Sequence, residues 1–364
     1  MSGHPLTSAQ ILLTCGTGGV GKTTMAVVLG LAAAHAGRRV LVLTIDPARR
    51  LANALGLEAF DDAVHPVWPR PPDSAAKEGG SLDCAMLDVK RTFDRVVRQY
   101  APSAESAEAI LGNPLYQQLA GTITGSQEYM AMERLYELTE TAHPYELIIL
   151  DTPPTHQALD FFRAPQRMVN ALTGSMLQLF VKPAAFAGKI GARLLAHSSD
   201  TLLKFFGKIT GVDLLREISA LIVSAVSLFD GFRERAAAVD LLLRDPRSQI
   251  VLVTTPNTEQ LLDARAFLHS ADSLGMHVGG IILNRVTPDF PLPASIPAPT
   301  SPIEHHVVAL GVQLAAQRRA DLACRDQLCA NIAEAIPLWL MPAEAHEITN
   351  LEDLTRLAHL YHHE

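Results

Sequence analysis

Residues 10–25 read QILLTCGTGGVGKTTM. The apolar run Ile11 to Leu13 leads into a glycine-rich turn, and the turn leads into a helix-compatible stretch. Within it, Gly16-Thr17-Gly18-Gly19-Val20-Gly21-Lys22-Thr23 satisfies G-x-x-x-x-G-K-[ST], the phosphate-binding loop. Without a Cβ, the glycines let backbone N–H groups close on phosphate oxygens. The helix that follows points the positive end of its dipole at the same anion. Gly18, Gly19, Val20, Gly21, Lys22, Thr23 and Thr24 are therefore the expected phosphate cradle. Lys22 reaches the outer phosphates, and the Thr23 hydroxyl is a Mg²⁺ ligand.

A chain of 364 residues, 48% hydrophobic and 19% charged, buries a sizeable core and is globular rather than disordered. Its net charge of −8 argues against nucleic acid as a partner. The first strand begins by residue 11, which leaves no room for a cleaved leader. No run of about 18 uncharged apolar residues is present. Four cysteines, Cys15, Cys84, Cys324 and Cys329, do not form a disulfide pattern, and the first two lie in strand-like runs as buried thiols. The expectation is a cytoplasmic protein.

After the loop, residues 24–36 read as a helix and Arg39 to Ile45 as a strand buried on both faces, ending at Asp46-Pro47-Ala48-Arg49-Arg50. Strand, crossover helix and strand make one βαβ unit, and ligands in such sheets sit at the carboxyl ends of the strands. Residues 65–80, rich in Pro and Gly, read as a surface loop, and Leu82 to Leu87 as an edge strand. Helices are expected over Val89 to Tyr100 and Ser126 to Thr141. The apolar run Tyr145 to Leu150 ends at Asp151-Thr152-Pro153-Pro154-Thr155. A carboxylate at the tip of a buried strand, in a chain with a phosphate loop, is the second Mg²⁺-holding element.

Residues 156–246 carry no sheet signal. Leu214, Leu215, Ile218, Leu221, Ile222, Ala225, Val226 and Phe229 follow helical spacing, and the stretch before them is rich in Met, Leu and Phe. Two readings stand side by side: a helical subdomain with its own core and a basic face, or an apolar groove for a hydrophobic or membrane-linked client. The sheet resumes at Gln249 to Thr254 and His277 to Leu283, the latter ending at Asn284-Arg285. A proline-rich loop (287–303), a helix (304–334), a strand at Pro337 to Met341 and a helix from Asn350 complete the chain. The fold class expected is α/β, a mostly parallel P-loop NTPase sheet flanked by helices. One domain spans residues 1–364, with an all-helical insertion at 156–246.

The phosphate loop, Asp46-Pro47-Ala48-Arg49, Asp151-Thr152-Pro153-Pro154-Thr155 and Asn284-Arg285-Val286, in this order and spacing, resemble the ArsA-like family of arsenite-pump and tail-anchored-protein-targeting ATPases. The resemblance implies ATP and Mg²⁺ as ligands, Asp46 and Lys22 as catalytic groups, and Thr23, Asp46 and Asp151 around the metal. It implies Asn284 and the loop at Pro342 beside the adenine. It also implies a dimer, either a homodimer or a heterodimer with a paralogue, handling a hydrophobic-helix or membrane-associated client, peripheral at the membrane. Three departures qualify it. Thr17 stands where well-known members carry a second lysine that completes the phosphate clamp of the partner. His156-Gln157 replace Gly-His after the second switch, and His156 reads as a switch-loop residue. Cys324 and Cys329 are five apart on a helix and face different directions, which disfavours a shared zinc or metalloid site. A low-turnover, nucleotide-gated chaperone or targeting subunit and the motor of an anion pump remain the alternative functions.

Overall fold

The apolar runs fall into strands because each is short, β-branched or leucine-rich, and followed by a turn or a helix start. The computed structural model describes residues 5–45, 52, 54–55, 57, 62–68, 79–119, 126–140, 145–154, 161–164, 166–167, 170, 229–290, 300–330 and 336–362. In chain order the elements are α1 (Pro5–Ser8), β1 (Ile11–Cys15), α2 (Lys22–His35), β2 (Arg39–Thr44), β3 (His65–Trp68), β4 (Ser81–Met86), α3 (Val89–Tyr100), α4 (Ala104–Leu111), α5 (Pro114–Leu119) and α6 (Ser126–Glu140). There follow β5 (Leu147–Asp151), α7 (Phe229–Arg244), β6 (Ser248–Thr254), α8 (Thr258–Ser273), β7 (His277–Val286), α9 (Pro302–Cys329), β8 (Leu338–Pro342) and α10 (Leu351–His362).

The eight strands form one sheet in the order β3-β4-β2-β5-β1-β6-β7-β8. Every pairing is parallel except β3 with β4. The chain therefore builds the mostly parallel α/β sheet that its alternating strands and helices predict. β1 sits between β5 and β6, where successive crossovers leave in opposite directions, and ligands of open α/β sheets bind outside such a point.

Helix α2, KTTMAVVLGLAAAH, carries no polar face after its first turn, and it is buried nearly throughout. The sheet covers it on one side and α10 on the other. Val27, Val28 and Leu31 share one apolar core with Val40 and Val42 of β2, Ile149 of β5, and Leu354 and Leu357 of α10.

Several boundaries differ from the sequence reading; β7, for instance, runs on to Val286 and carries Asn284 within it. His65–Trp68 is a strand, so β3 and not the segment from Leu82 forms the sheet edge. Pro66 lacks one ladder donor, which suits an edge strand. The last long helix begins at Pro302 rather than 304. Ser301-Pro302-Ile303-Glu304 is a capping box with proline in the first turn: Glu304 N–H donates to the Ser301 hydroxyl, and the Glu304 carboxylate accepts from the Ser301 N–H. The expected helices within 171–228 lie outside the described residues.

The chain divides into two compact units. Unit 1 comprises Met1–Met86, Ala142–Leu159 and Leu243–Glu364, and holds the whole sheet. Unit 2 comprises Leu87–Thr141 and Asp160–Leu242. In unit 2, Val96, Val97, Ile110, Leu111, Tyr129 and Met130 pack with Ala236 of α7. Glu133, 2% exposed, accepts from Arg235 Nε at 2.7 Å, and the Arg235 guanidinium lies 4.1 Å from the Tyr136 ring centre.

Candidate functional site

The turn after β1 is shaped by its glycines. Gly21 has φ 95, a left-handed conformation, and hands the chain to α2. A Cβ there would lie 2.5 Å from Asn284 Nδ2, so glycine is required by space as well as by φ. At Gly18 and Gly19 an added Cβ would meet nothing within 4 Å; this outer part of the loop is open. Lys22 is 8% exposed and curls back over the loop, its ammonium donating to the Thr17 carbonyl at 2.9 Å.

Asp151, 1% exposed, ends β5 between β2 and β1. The parallel register sets Thr14 and Thr44 opposite it. Thr44 Oγ1 donates to Asp151 Oδ2 at 3.0 Å. The Thr14 hydroxyl stands 3.5 Å from Oδ1 and 3.4 Å from the Leu150 carbonyl, so its single proton is shared between them. Thr152 Oγ1 donates to the Thr14 carbonyl at 2.8 Å and tightens the β5–β1 tip. Sequence reading passed over both threonines. Their signal was a hydroxyl near the carboxyl end of each otherwise apolar strand, ILLTC and RVLVLT.

Cys15 lies wholly buried in the same tip, in the electrostatic reach of both Lys22 and Asp151. Burial pushes its thiol up to about 12, with a smaller opposing effect from the Thr152 hydrogen bond. It is an inert thiol, as is Cys84, which burial also shifts upward.

Beside the loop opens a cavity of ≈ 440 Å³. Gly21, Thr23 and Thr24 line it from the loop and α2; Asn284 and Arg285 from β7; Pro342 to Glu344 from β8 and the turn beyond. Ile348, Leu354 and Leu357 supply an apolar wall. Asn284, 6% exposed, donates from Nδ2 to the Val20 carbonyl at 2.8 Å, and its Oδ1 accepts from the Arg285 N–H at 2.9 Å. One amide proton and one lone pair of Asn284 remain.

The fold thus gathers Gly21, Thr23, Thr24, Asn284 and Pro342 around one cavity, while Lys22, at the start of α2, and Asp151, at the tip of β5, are not in its lining. Hydroxyl and carboxylate oxygens of Thr23 and Asp151 are the hard donors that suit Mg²⁺. Asp46, Arg49, Arg50, His156 and Gln157 lie outside the described residues. The described chain before Asp46 ends at Ile45, whose N–H donates to the Asp151 carbonyl at 3.4 Å.

Residues 9–294 match the family model described as "Anion-transporting ATPase". A protein of Aquifex aeolicus, provisionally named arsenical pump-driving ATPase 1, is 24% identical over 285 residues, covering 77% of this chain and 64% of that protein. Proteins named ATPase GET3 are 28% identical over 158 residues in Malassezia globosa and 30% over 160 residues in Phaeosphaeria nodorum. These matches take in 43% of this chain in each case, and 43% and 46% of the two proteins. The chain spans less than two thirds of the length of these relatives. The family match, by contrast, runs unbroken from ahead of β1 to the loop after β7, taking in the phosphate loop, Asp151 and Asn284 together: the chain belongs to the anion-transporting ATPase family.

Proposed function

We propose that this chain binds Mg²⁺·ATP at the β1–α2 loop and its adjoining cavity, and hydrolyses it. The observation that carries the reading is the convergence of a phosphate loop, a buried strand-tip carboxylate and a cavity of small-molecule size on the carboxyl side of one sheet. Backbone N–H groups of residues 18–24 hold the phosphates, and Lys22 releases the Thr17 carbonyl to bind them. Thr23 and Asp151 hold Mg²⁺, which when bound neutralises phosphate charge. Thr44 and Thr14 keep the Asp151 carboxylate oriented. Asp46 positions the attacking water, and Asn284 with Pro342 holds the adenine edge.

In this reading the P-loop ATPase domain spans the chain, with a helical insertion at 156–246. The chain passes into unit 2 after Met86 and again after Leu159; upstream of these points the strand ends at Met86 and Asp151 both stand opposite Thr44 in the register of the sheet. Gain and loss of the γ-phosphate would act on these entries, and through them on a dimer and a hydrophobic client. No described helix is long and apolar enough to cross a membrane, which is compatible with a cytoplasmic protein that meets membranes at the surface.

Thr17 favours a second reading of the rate. It brings a hydroxyl, not an ammonium, to the loop, and a missing clamp charge costs transition-state stabilisation. A low-turnover switch or heterodimer subunit follows if no other cation compensates. The anion-pump motor stays an alternative by family kinship, and arsenite stimulation would support it.

Steady-state ATP hydrolysis with Mg²⁺ tests the proposal. Turnover should fall by at least about 100-fold in Lys22→Ala and in Asp46→Asn, on the scale of losing one charge-stabilising group. Unchanged ATP affinity and turnover in Lys22→Ala would remove the proposed site. Tight ATP binding without turnover in the wild type would select the switch reading.

A further inference from the structure

Arg285 has φ 60, and it is the one non-glycine residue with positive φ among those described. Glycine takes that conformation freely, whereas an arginine holds it only where its surroundings enforce it. Here the enforcement comes from Asn284, whose Oδ1 accepts from the Arg285 N–H at 2.9 Å while its Nδ2 donates to the Val20 carbonyl at 2.8 Å. One amide therefore fixes the phosphate loop and the arginine together. The Arg285 side chain is exposed and lines the cavity. Among the described residues its guanidinium has no hydrogen-bond or ion-pair partner. Glu344, an acid of the same lining, is already paired with Arg356 at 2.6 Å.

We propose that Arg285 stacks its guanidinium on the base of the bound purine nucleotide and so sets nucleotide affinity; the proposal rests on the nucleotide reading above. In the nucleotide reading the phosphates are served by the glycine loop and Lys22, which is not among the cavity's lining residues. Arg285 shares the lining with the apolar Pro342, Ile348 and Leu357, and the β7–β8 pairing sets the next residue, Val286, opposite Pro342. A planar, weakly hydrated cation facing an apolar slot fits a flat π-system better than a phosphate, which a bidentate or point-charge contact would serve. The left-handed backbone is then the conformation that turns the side chain into the cavity, kept for binding at the expense of local backbone comfort.

The test uses the full chain and three probes: Mg²⁺·ATP, Mg²⁺·ADP and inorganic tripolyphosphate, with dissociation constants by calorimetry. In Arg285→Ala, ATP and ADP should weaken by the same factor, about 5- to 100-fold, the range of one base-stacking contact. Tripolyphosphate should bind as in the wild type, and KM for ATP should rise with kcat kept. Arg285→Gly should lose the same nucleotide affinity while its ligand-free melting temperature stays equal or rises, because the strained φ is relieved. Arg285→Lys should recover only part of the loss, having charge without a planar face. Unchanged ATP affinity in the Ala and Gly variants would overturn the proposal. So would an equal loss for tripolyphosphate, which would move the contact to the phosphates, or a lowered melting temperature in the Gly variant, which would make Arg285 structural. A wild type that binds no ATP would overturn the nucleotide reading itself, an outcome distinct from wild-type binding that the variants leave intact.

Discussion

Asn284 combines a structural role with the binding role proposed for it. Its amide satisfies the buried Val20 carbonyl and the Arg285 N–H, two backbone groups on elements 264 residues apart and adjacent in sequence, respectively. Asn284→Ala leaves both without their side-chain partner. Abandoned buried polar groups cost about 1–3 kcal/mol each, so a loss of about 2 kcal/mol is expected in urea unfolding of the ligand-free chain. ATP affinity should fall further, because Val20 and Gly21 lose their tether. A variant with full stability and full affinity would show that the Val20 carbonyl finds another donor. The sequence marked Asn284 as a candidate site residue, through its place at a strand end in an ordered set of motifs. It did not disclose the bond to Val20, because the register that brings β7 alongside the loop is a property of the sheet. Thr14 and Thr44 were hidden for the same reason: a threonine near a strand end is unremarked until the parallel register sets it against Asp151.

At the scale of elements, the sequence was most legible where a run had a single reading. LIILD and ILLTC can only be buried strands of a parallel sheet, and Val89 to Tyr100 kept its boundaries because Asp88 caps it, accepting from the Arg91 N–H at 2.9 Å. It was least legible at HPVW, where a proline and a short run look like a loop until β4 offers an edge to pair with. The meeting of α6 and α7 was invisible too, since Glu133 and Arg235 are 102 residues apart. This pair yields a prediction about pH. Burial raises the Glu133 carboxyl above its ordinary value of 4.5, against the opposing pull of Arg235. With a folded-state value above the unfolded one, the native chain holds the extra proton, so this group's contribution to stability falls as pH rises through that window. Glu133→Gln has no proton to lose there. The stability of wild type minus that of Glu133→Gln, from urea unfolding, should therefore decrease between pH 4 and pH 7. An increase would mean that attraction to Arg235 outweighs desolvation. Arg235→Ala, which strands a buried carboxylate, should be the more damaging change, by roughly 3–5 kcal/mol.

Over the whole molecule, two cores share one chain. Val27, Val42, Ile149 and Leu354 belong to the core of unit 1; Val96, Ile110, Tyr129 and Ala236 belong to that of unit 2. Two cores allow two melting transitions, and a single unfolding free energy then has no meaning. The proposed nucleotide site lies wholly within unit 1. Ligand at 100 times its dissociation constant adds about 2.7 kcal/mol to the unit that binds it. At about 2–4 °C per kcal/mol for a unit of this size, a non-hydrolysable ATP analogue with Mg²⁺ should raise the unit 1 transition by about 5–10 °C in scanning calorimetry. The proposed switch demands more than this. If the γ-phosphate acts on the strand ends that lead into Leu87 and Asp160, the unit 2 transition must move upward as well, or merge with the first, under the ATP analogue and less so under ADP. Movement of the unit 1 transition alone would leave ATP binding standing and remove the coupling, since a ligand shifts an equilibrium only by its differential affinity for the two states. Movement of neither would remove the site. Movement of both with the analogue, and of unit 1 alone with ADP, would place the γ-phosphate as the group that unit 2 senses.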